Sequence, residues 1–152
     1  MALEPEHHGS GARTKENRMS TPRTHKDLIV WRKSVALASR VYSATEKFPN
    51  ADRYTLSVQM RRSAVSVASN IAEGAARGSR ADYLRFLSIA RGSLSELETQ
   101  ICICLELRLI QPDGGLEELV AEVGRLLSGL TRRLKEHRER GASFHSGANP
   151  IA

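Results

Sequence analysis

The chain has 152 residues, of which 40% are hydrophobic, 5% aromatic and 26% charged. That length makes one domain with enough chain to bury a core, and so few aromatics leave the burial to aliphatics and alanine, which suits helices better than sheets. A formal charge of +6 favours anionic partners, nucleic acid first, while no apolar run approaches the ~20 residues that a membrane crossing needs. Without an apolar signal core near Met1, the expected location is the cytoplasm. Residues 27–138 hold 17 Lys/Arg against 13 Asp/Glu, so this stretch carries +4 of the charge. Most of the cations are arginines, whose planar fork suits phosphate.

Residues 1–25 mix Gly, Ser, Thr, Pro, His and charges without apolar periodicity and read as a disordered tail. Met19 is a natural alternative start within it. The first helix is expected from Asp27, as N-cap, to Phe48, where Pro49 stops it. Its expected seam is Leu28, Trp31, Val35, Ala38 and Tyr42, widened by Val30, Leu37, Val41, Ala44 and Phe48. A short Pro-Asn-Ala-Asp turn then forces an antiparallel return. The second helix spans Asp52 to Arg77, with Gly78 in the position just past a helix end and Gly74 a potential kink. Its apolar residues fall on two lines, Met60, Ala64, Val67 and Ile71, and Val58, Val65, Ala68 and Ala72.

Ser79, with Asp82 three residues on, N-caps a third helix that ends near Leu109. There Tyr83, Leu87, Ala90, Leu94, Leu97, Ile101 and Cys104 alternate steps of four and three, as along a coiled-coil seam, and Leu84, Ile89, Leu105 and Leu107 broaden it. After a Gln-Pro-Asp-Gly-Gly turn, the fourth helix starts near Asp113. Leu116, Leu119, Val123, Leu126 and Leu130 form its seam, and Arg132, Arg133, Lys135 and Arg138 close it. Residues 139–152 read as a second disordered tail. The fold class is therefore all-α, an up-down-up-down four-helix bundle over residues 26–138.

The stretch Ser66-Val-Ala-Ser-Asn-Ile-Ala-Glu-Gly74 organises this pattern. Gln59, Arg62, Ser66, Asn70, Glu73 and Arg77 make a polar stripe at heptad spacing on a helix rich in small residues. Such a stripe is either a solvated face or a polar seam against another helix, in this chain or another copy. The candidate seam and assembly residues are Gln59, Ser66, Asn70, Glu73 and Gly74, with Ser93 and Glu96 on the third helix; Arg62 or Arg91 would neutralise Glu73.

Enzyme chemistry is not expected. The five histidines (His7, His8, His25, His137 and His145) fall in the tails or at the end of the fourth helix, and no Glu-x-x-His pair or phosphate-binding glycine loop occurs. Glu73, Glu96 and Glu98 form a carboxylate group without a histidine beside it, and Cys102 and Cys104, two apart on a helix, point in different directions. No metal or cofactor is expected. The candidate phosphate-binding residues are Arg61, Arg62, Arg77, Arg80, Arg85 and Arg91, and Arg132, Arg133, Lys135 and Arg138. With few aromatics to stack on bases, nucleic-acid binding would run through the backbone and depend steeply on salt.

These residues carry a family resemblance. Asp27-Leu-Ile-Val-Trp31, Phe48-Pro49, Gln59-Met-Arg-Arg62, the Ser66–Gly74 run and Ala90-Arg-Gly-Ser-Leu-Ser-Glu-Leu-Glu98 resemble the four-helix-bundle proteins encoded within intervening sequences of bacterial 23S rRNA genes. That family is similar in turn to the accessory variability protein of diversity-generating retroelements. The likeness spans about residues 25 to 135, with Asp52 where Glu is common. It implies homo-oligomers, typically pentameric rings, and in the retroelement relative a basic surface that engages nucleic acid and a reverse transcriptase. The expected function is a non-enzymatic, homopentameric accessory protein that binds RNA or DNA. The alternative is a structural or protein-interaction scaffold.

Overall fold

The computed structural model describes residues 24–49, 55–112 and 114–143, with side chains up to residue 136. Residues 1–23 of the expected tail, the alternative start at Met19, the expected helix starts at Asp52 and Asp113, the Arg138 side chain and residues 144–152 lie outside the described residues, whereas Thr24 and His25, expected in the tail, belong to an ordered turn.

Among the described residues, four α-helices follow a short entry turn: α1 (Ile29–Thr45), α2 (Leu56–Ala76), α3 (Arg80–Glu106) and α4 (Gly115–Ser143). No strand occurs among the described residues. Each helix packs against two neighbours in the order α1, α2, α3, α4 and back to α1, and α2–α3 is the most extensive interface. Residue pairs fix direction. Along α2, Gly74 lies by Tyr83 and Phe86, Ser66 by Ser93 and Met60 by Cys104, so α3 runs antiparallel to it. Leu94 against Gly124 and Arg91 against Ser128 set α4 antiparallel to α3. These pairings suit the expected bundle.

Helix ends differ from expectation where local hydrogen bonds compete. Asp27 does not cap α1. Its carboxylate accepts from the Thr24 amide at 3.0 Å within a 3-10 turn over His25–Asp27, and the α-helix starts after Leu28. At the other end α1 stops at Thr45, because a residue before proline avoids the helical region and Phe48 precedes Pro49. Gly78 takes no positive φ: α2 ends on extended Arg77, and the Ser79 hydroxyl at once accepts from the Asp82 amide at 3.1 Å, leaving no room for a left-handed cap. That cap forms instead after α3. Arg108 sits at φ 56°, its amide donates to Leu105 O, and the Leu109 amide reaches back to Cys104 O at 2.9 Å. Helix α4 continues past Arg138 to Ser143.

The core unites Leu37, Val41, Met60, Ala64, Val67, Ile71, Leu87, Ala90, Leu97, Ile101, Cys104, Val123 and Leu127. Each large side chain buried there contributes about 1.5–3 kcal/mol. The expected seams of α2 (Met60 to Ile71) and α3 (Leu87 to Cys104) are in place. The α1 seam is rotated from expectation. Val30, Ser34, Leu37, Val41 and Thr45 point inward, while Val35 and Tyr42 are exposed. Ser34 and Thr45 can be buried because each hydroxyl bonds a carbonyl four residues back, Val30 O at 2.7 Å and Val41 O at 2.8 Å. On α2 the second apolar line also misses the core: Val58 and Val65 are exposed.

Candidate nucleic-acid interface

The cations expected to meet phosphate do not form one surface. Arg61 and Arg62 lie on the α1–α2 side. Arg61 donates from Nε to Thr45 Oγ1 at 2.8 Å and its guanidinium lies 4.7 Å from the Tyr42 ring centre, so it is already engaged. Around it Val35, Tyr42, Val58 and Val65 remain 38%, 48%, 43% and 43% exposed, an apolar strip at heptad spacing on both helices.

A second group sits where α2 turns into α3. Arg77 bonds Glu73, one turn back on its own helix, and this bond, then the charge of Glu73, raises the guanidinium pKa. Neither Arg62 nor Arg91 neutralises Glu73, because the i,i+4 geometry within α2 gives Arg77 the shorter reach. Arg85 pairs loosely with Asp82 at 4.0 Å, and both Arg77 and Arg85 approach the Phe86 ring, at 5.1 and 4.9 Å. Arg80 opens α3 and is exposed.

The third group converges. Antiparallel packing of α3 and α4 places Arg91, Arg125, Arg132 and Lys135 along one groove. Its deeper part is a recess of about 570 Å³ lined by Leu84, Ser88, Arg91, Ser128, Thr131, Arg132 and Lys135 among others. It continues past Gly124, Arg125 and Gly129. From residue 121 to 136 the lining follows about 22 Å of α4 at roughly 1.5 Å per residue. Arg91 donates from both terminal nitrogens to Ser128 Oγ, at 3.0 and 2.7 Å, and Ser128 passes its own proton to Gly124 O at 2.8 Å. That chain fixes the guanidinium at the groove wall. Glu136 offers Arg132 a weak pair at 3.8 Å, while Arg125 and Lys135 have no ion pair among the described residues. Arg133 is exposed but does not line the groove.

The polar stripe of α2 forms a seam with α3. Ser66 and Ser93 share a hydroxyl hydrogen bond of 2.8 Å across the two helices, and Asn70 Nδ2 donates to Ser66 O at 2.8 Å and to Ser66 Oγ at 3.0 Å. Ser63 reaches Glu96 Oε2 at 3.4 Å. Gln59 borders this seam, and Gln100, one turn after Glu96 and not among the seam residues expected from the sequence, lies on the same wall. Gly74 is no kink. A Cβ there would stand 2.8 Å from both Phe86 Cβ and Tyr83 Cδ2, so the missing side chain lets α3 close on α2. Tyr83, half-buried against this contact, has its pKa raised by burial.

Among the described residues no group of three or more His, Cys, Asp or Glu is placed to hold a metal, and no helix is long and apolar enough to cross a membrane. Cys102 is exposed and Cys104 buried, both unbridged.

No curated protein matches the chain significantly. Among solved structures it is similar to a protein of unknown function from the S23 ribosomal protein family of Bacteroides thetaiotaomicron, with 26% identity and a TM-score of 0.65 over 70% of this chain and 98% of that one. The pattern of the 23S rRNA-intervening sequence protein family matches residues 26–129, from the entry turn well into α4 and across every helix interface described above. The chain belongs to the 23S rRNA-intervening sequence protein family.

Proposed function

We propose that this protein is a cytoplasmic, non-enzymatic accessory bundle that self-assembles, as a homopentamer, and binds RNA or DNA by seating backbone phosphates in the α3–α4 groove. The observation that carries the reading is the alignment of Arg91, Arg125, Arg132 and Lys135 along one groove with hydroxyls between them and a single weakly paired carboxylate in its lining. Phosphate oxygens accept from guanidinium and hydroxyl donors alike, and no aromatic ring lines the recess to stack a base. Binding of this kind is indifferent to sequence and steep in salt. The exposed strip of Val35, Tyr42, Val58 and Val65 supports the assembly part, since apolar side chains aligned on two adjacent helices fit a helix from a second copy.

Size-exclusion chromatography with light scattering, run with and without a structured RNA at two salt concentrations, tests both parts. The expected result is an oligomer that takes up RNA at low salt and releases it at higher salt. An oligomer that ignores RNA at both salts favours the second reading, a protein-interaction scaffold with a protein partner such as a reverse transcriptase, for which the same apolar strip is the supporting feature. A monomer refutes the assembly.

A further inference from the structure

The α2–α3 seam opens outward into a groove of about 270 Å³ lined by Gln59, Arg62, Ser63, Ser66, Ser93, Glu96 and Gln100. We propose that this groove is a socket for a guanidinium or primary ammonium group. The argument is a count of unmet acceptors. Glu96 accepts one long bond, from Ser63 at 3.4 Å, on Oε2, and none of the ion pairs among the described residues involves it. Gln100 Oε1 is shielded from solvent and has no hydrogen-bond partner among the described residues.

An amide oxygen left unpaired out of water is destabilising, so its place beside an underused carboxylate on the same face of α3, one turn away, calls for a donor. The terminal amide torsion of glutamine is soft, so the oxygen can turn to meet a donor that enters the groove. The groove's own donors do not meet these oxygens: Ser63 donates to Glu96, one of Ser66 and Ser93 donates to the other, and among the described residues neither the remaining hydroxyl nor Arg62, which also lines the groove, bonds Glu96 or Gln100 Oε1. Arg62 and the Glu96 carboxylate both line the groove, so an anion gains no net charge there, and a metal ion finds a single carboxylate. A guanidinium offers up to five N–H groups in one plane, enough to serve Glu96 and Gln100 together.

That group reaches the socket either on an arginine side chain of a second copy of this chain or on a free small amine or guanidine. Agmatine, an alkylguanidinium, is the probe, added to the isotopically labelled full chain. Tetramethylammonium at equal ionic strength is the control, a cation without an N–H. Agmatine is expected to move the Gln100 side-chain amide and the Ser63 and Ser93 backbone resonances, while tetramethylammonium leaves them in place. Glu96 is exposed, so Glu96→Gln keeps the fold, and it should weaken agmatine binding about tenfold or more. Arg91→Gln, in the other groove, should not change it.

Light scattering separates the sources. Loss of assembled mass on adding agmatine, and in Glu96→Gln, assigns the socket to an arginine of a second copy. Agmatine binding with unchanged mass assigns it to a free small molecule. The proposal is overturned if agmatine leaves Gln100 unmoved, if tetramethylammonium moves it equally, or if Glu96→Gln binds agmatine as well as the wild type. None of these outcomes depends on whether the α3–α4 groove takes nucleic acid.

Discussion

Removing Arg125 and Lys135 together is the sharpest test of the α3–α4 groove. Both are exposed and unpaired among the described residues, so Arg125→Gln with Lys135→Gln should change stability by no more than about 0.5 kcal/mol. The groove holds four cations, Arg91, Arg125, Arg132 and Lys135. If each neutralises one phosphate of a single strand, the slope of log K against log salt is about −2.8, and with two removed it is about −1.4. Between roughly 50 and 200 mM salt the wild type then loses about 50-fold in affinity and the double variant about 7-fold. Fluorescence anisotropy of a short labelled strand, titrated at several salt concentrations, reads both slopes. Arg133→Gln is the control, since Arg133 is exposed on the same helix but outside the groove. An unchanged slope in the double variant, or an equal fall in Arg133→Gln, refutes the groove as the phosphate site.

Four further substitutions probe the scaffold and the groove. Gly74→Ala puts a methyl 2.8 Å from Phe86 Cβ, an atom with little freedom to move, and should cost about 1–3 kcal/mol in denaturant unfolding. Gly92→Ala, also within a helix but with nothing within 4 Å of its Cβ, should instead gain about 0.5–1 kcal/mol. Arg108→Gly relieves a non-glycine residue held at φ 56° in the cap after α3 and should raise stability by about 1 kcal/mol, seen as a higher melting temperature. Gly129→Leu places bulk in the open part of the groove, where a Cβ meets nothing within 4 Å, and should weaken nucleic-acid binding while the circular dichroism spectrum and the melting temperature hold.

What the sequence discloses depends on whether a residue's partner lies on its own helix. The α3 seam is legible because large apolar residues recur without a gap from Leu87 to Cys104. The α1 seam is misread because Ser34 and Thr45 occupy core positions, a placement made possible by hydroxyl bonds to their own helix that hydropathy does not register. Ser66, Asn70, Ser93 and Glu96 declare a polar seam by repetition on two helices; Gln100 continues the steps of three and four from Ser93 and Glu96, a continuation passed over until its unpaired oxygen marks it. Arg91 and Arg132 are legible as cations. Arg125 is not, lying among leucines and glycines, and only the antiparallel register of α3 and α4 brings it into line with Arg91. Arg61 shows the opposite error: it reads as a free cation, yet Tyr42 and Thr45 from α1 already hold it.

The order of the helices gives these surfaces a common logic. With α1 beside α2 and α4, and α3 beside α2 and α4, the α1–α2 edge and the α3–α4 edge lie on opposite sides of the bundle. The apolar strip is on the first and the cationic groove on the second. Assembly through the first therefore leaves every groove open. On the proposed reading, one groove with about four phosphate contacts would bind weakly at physiological salt, but grooves repeated on a ring would share a single strand, and linked sites can exceed the affinity of one by about 10²–10⁴ without any new contact. Tyr42→Glu, which puts a charge on the apolar strip and leaves the groove untouched, separates the two contributions. It should break the assembly and reduce affinity for a long RNA far more than for a strand that spans one groove. Equal losses on both would mean that the strip acts on nucleic acid directly, and no loss on either would mean that assembly contributes nothing to binding.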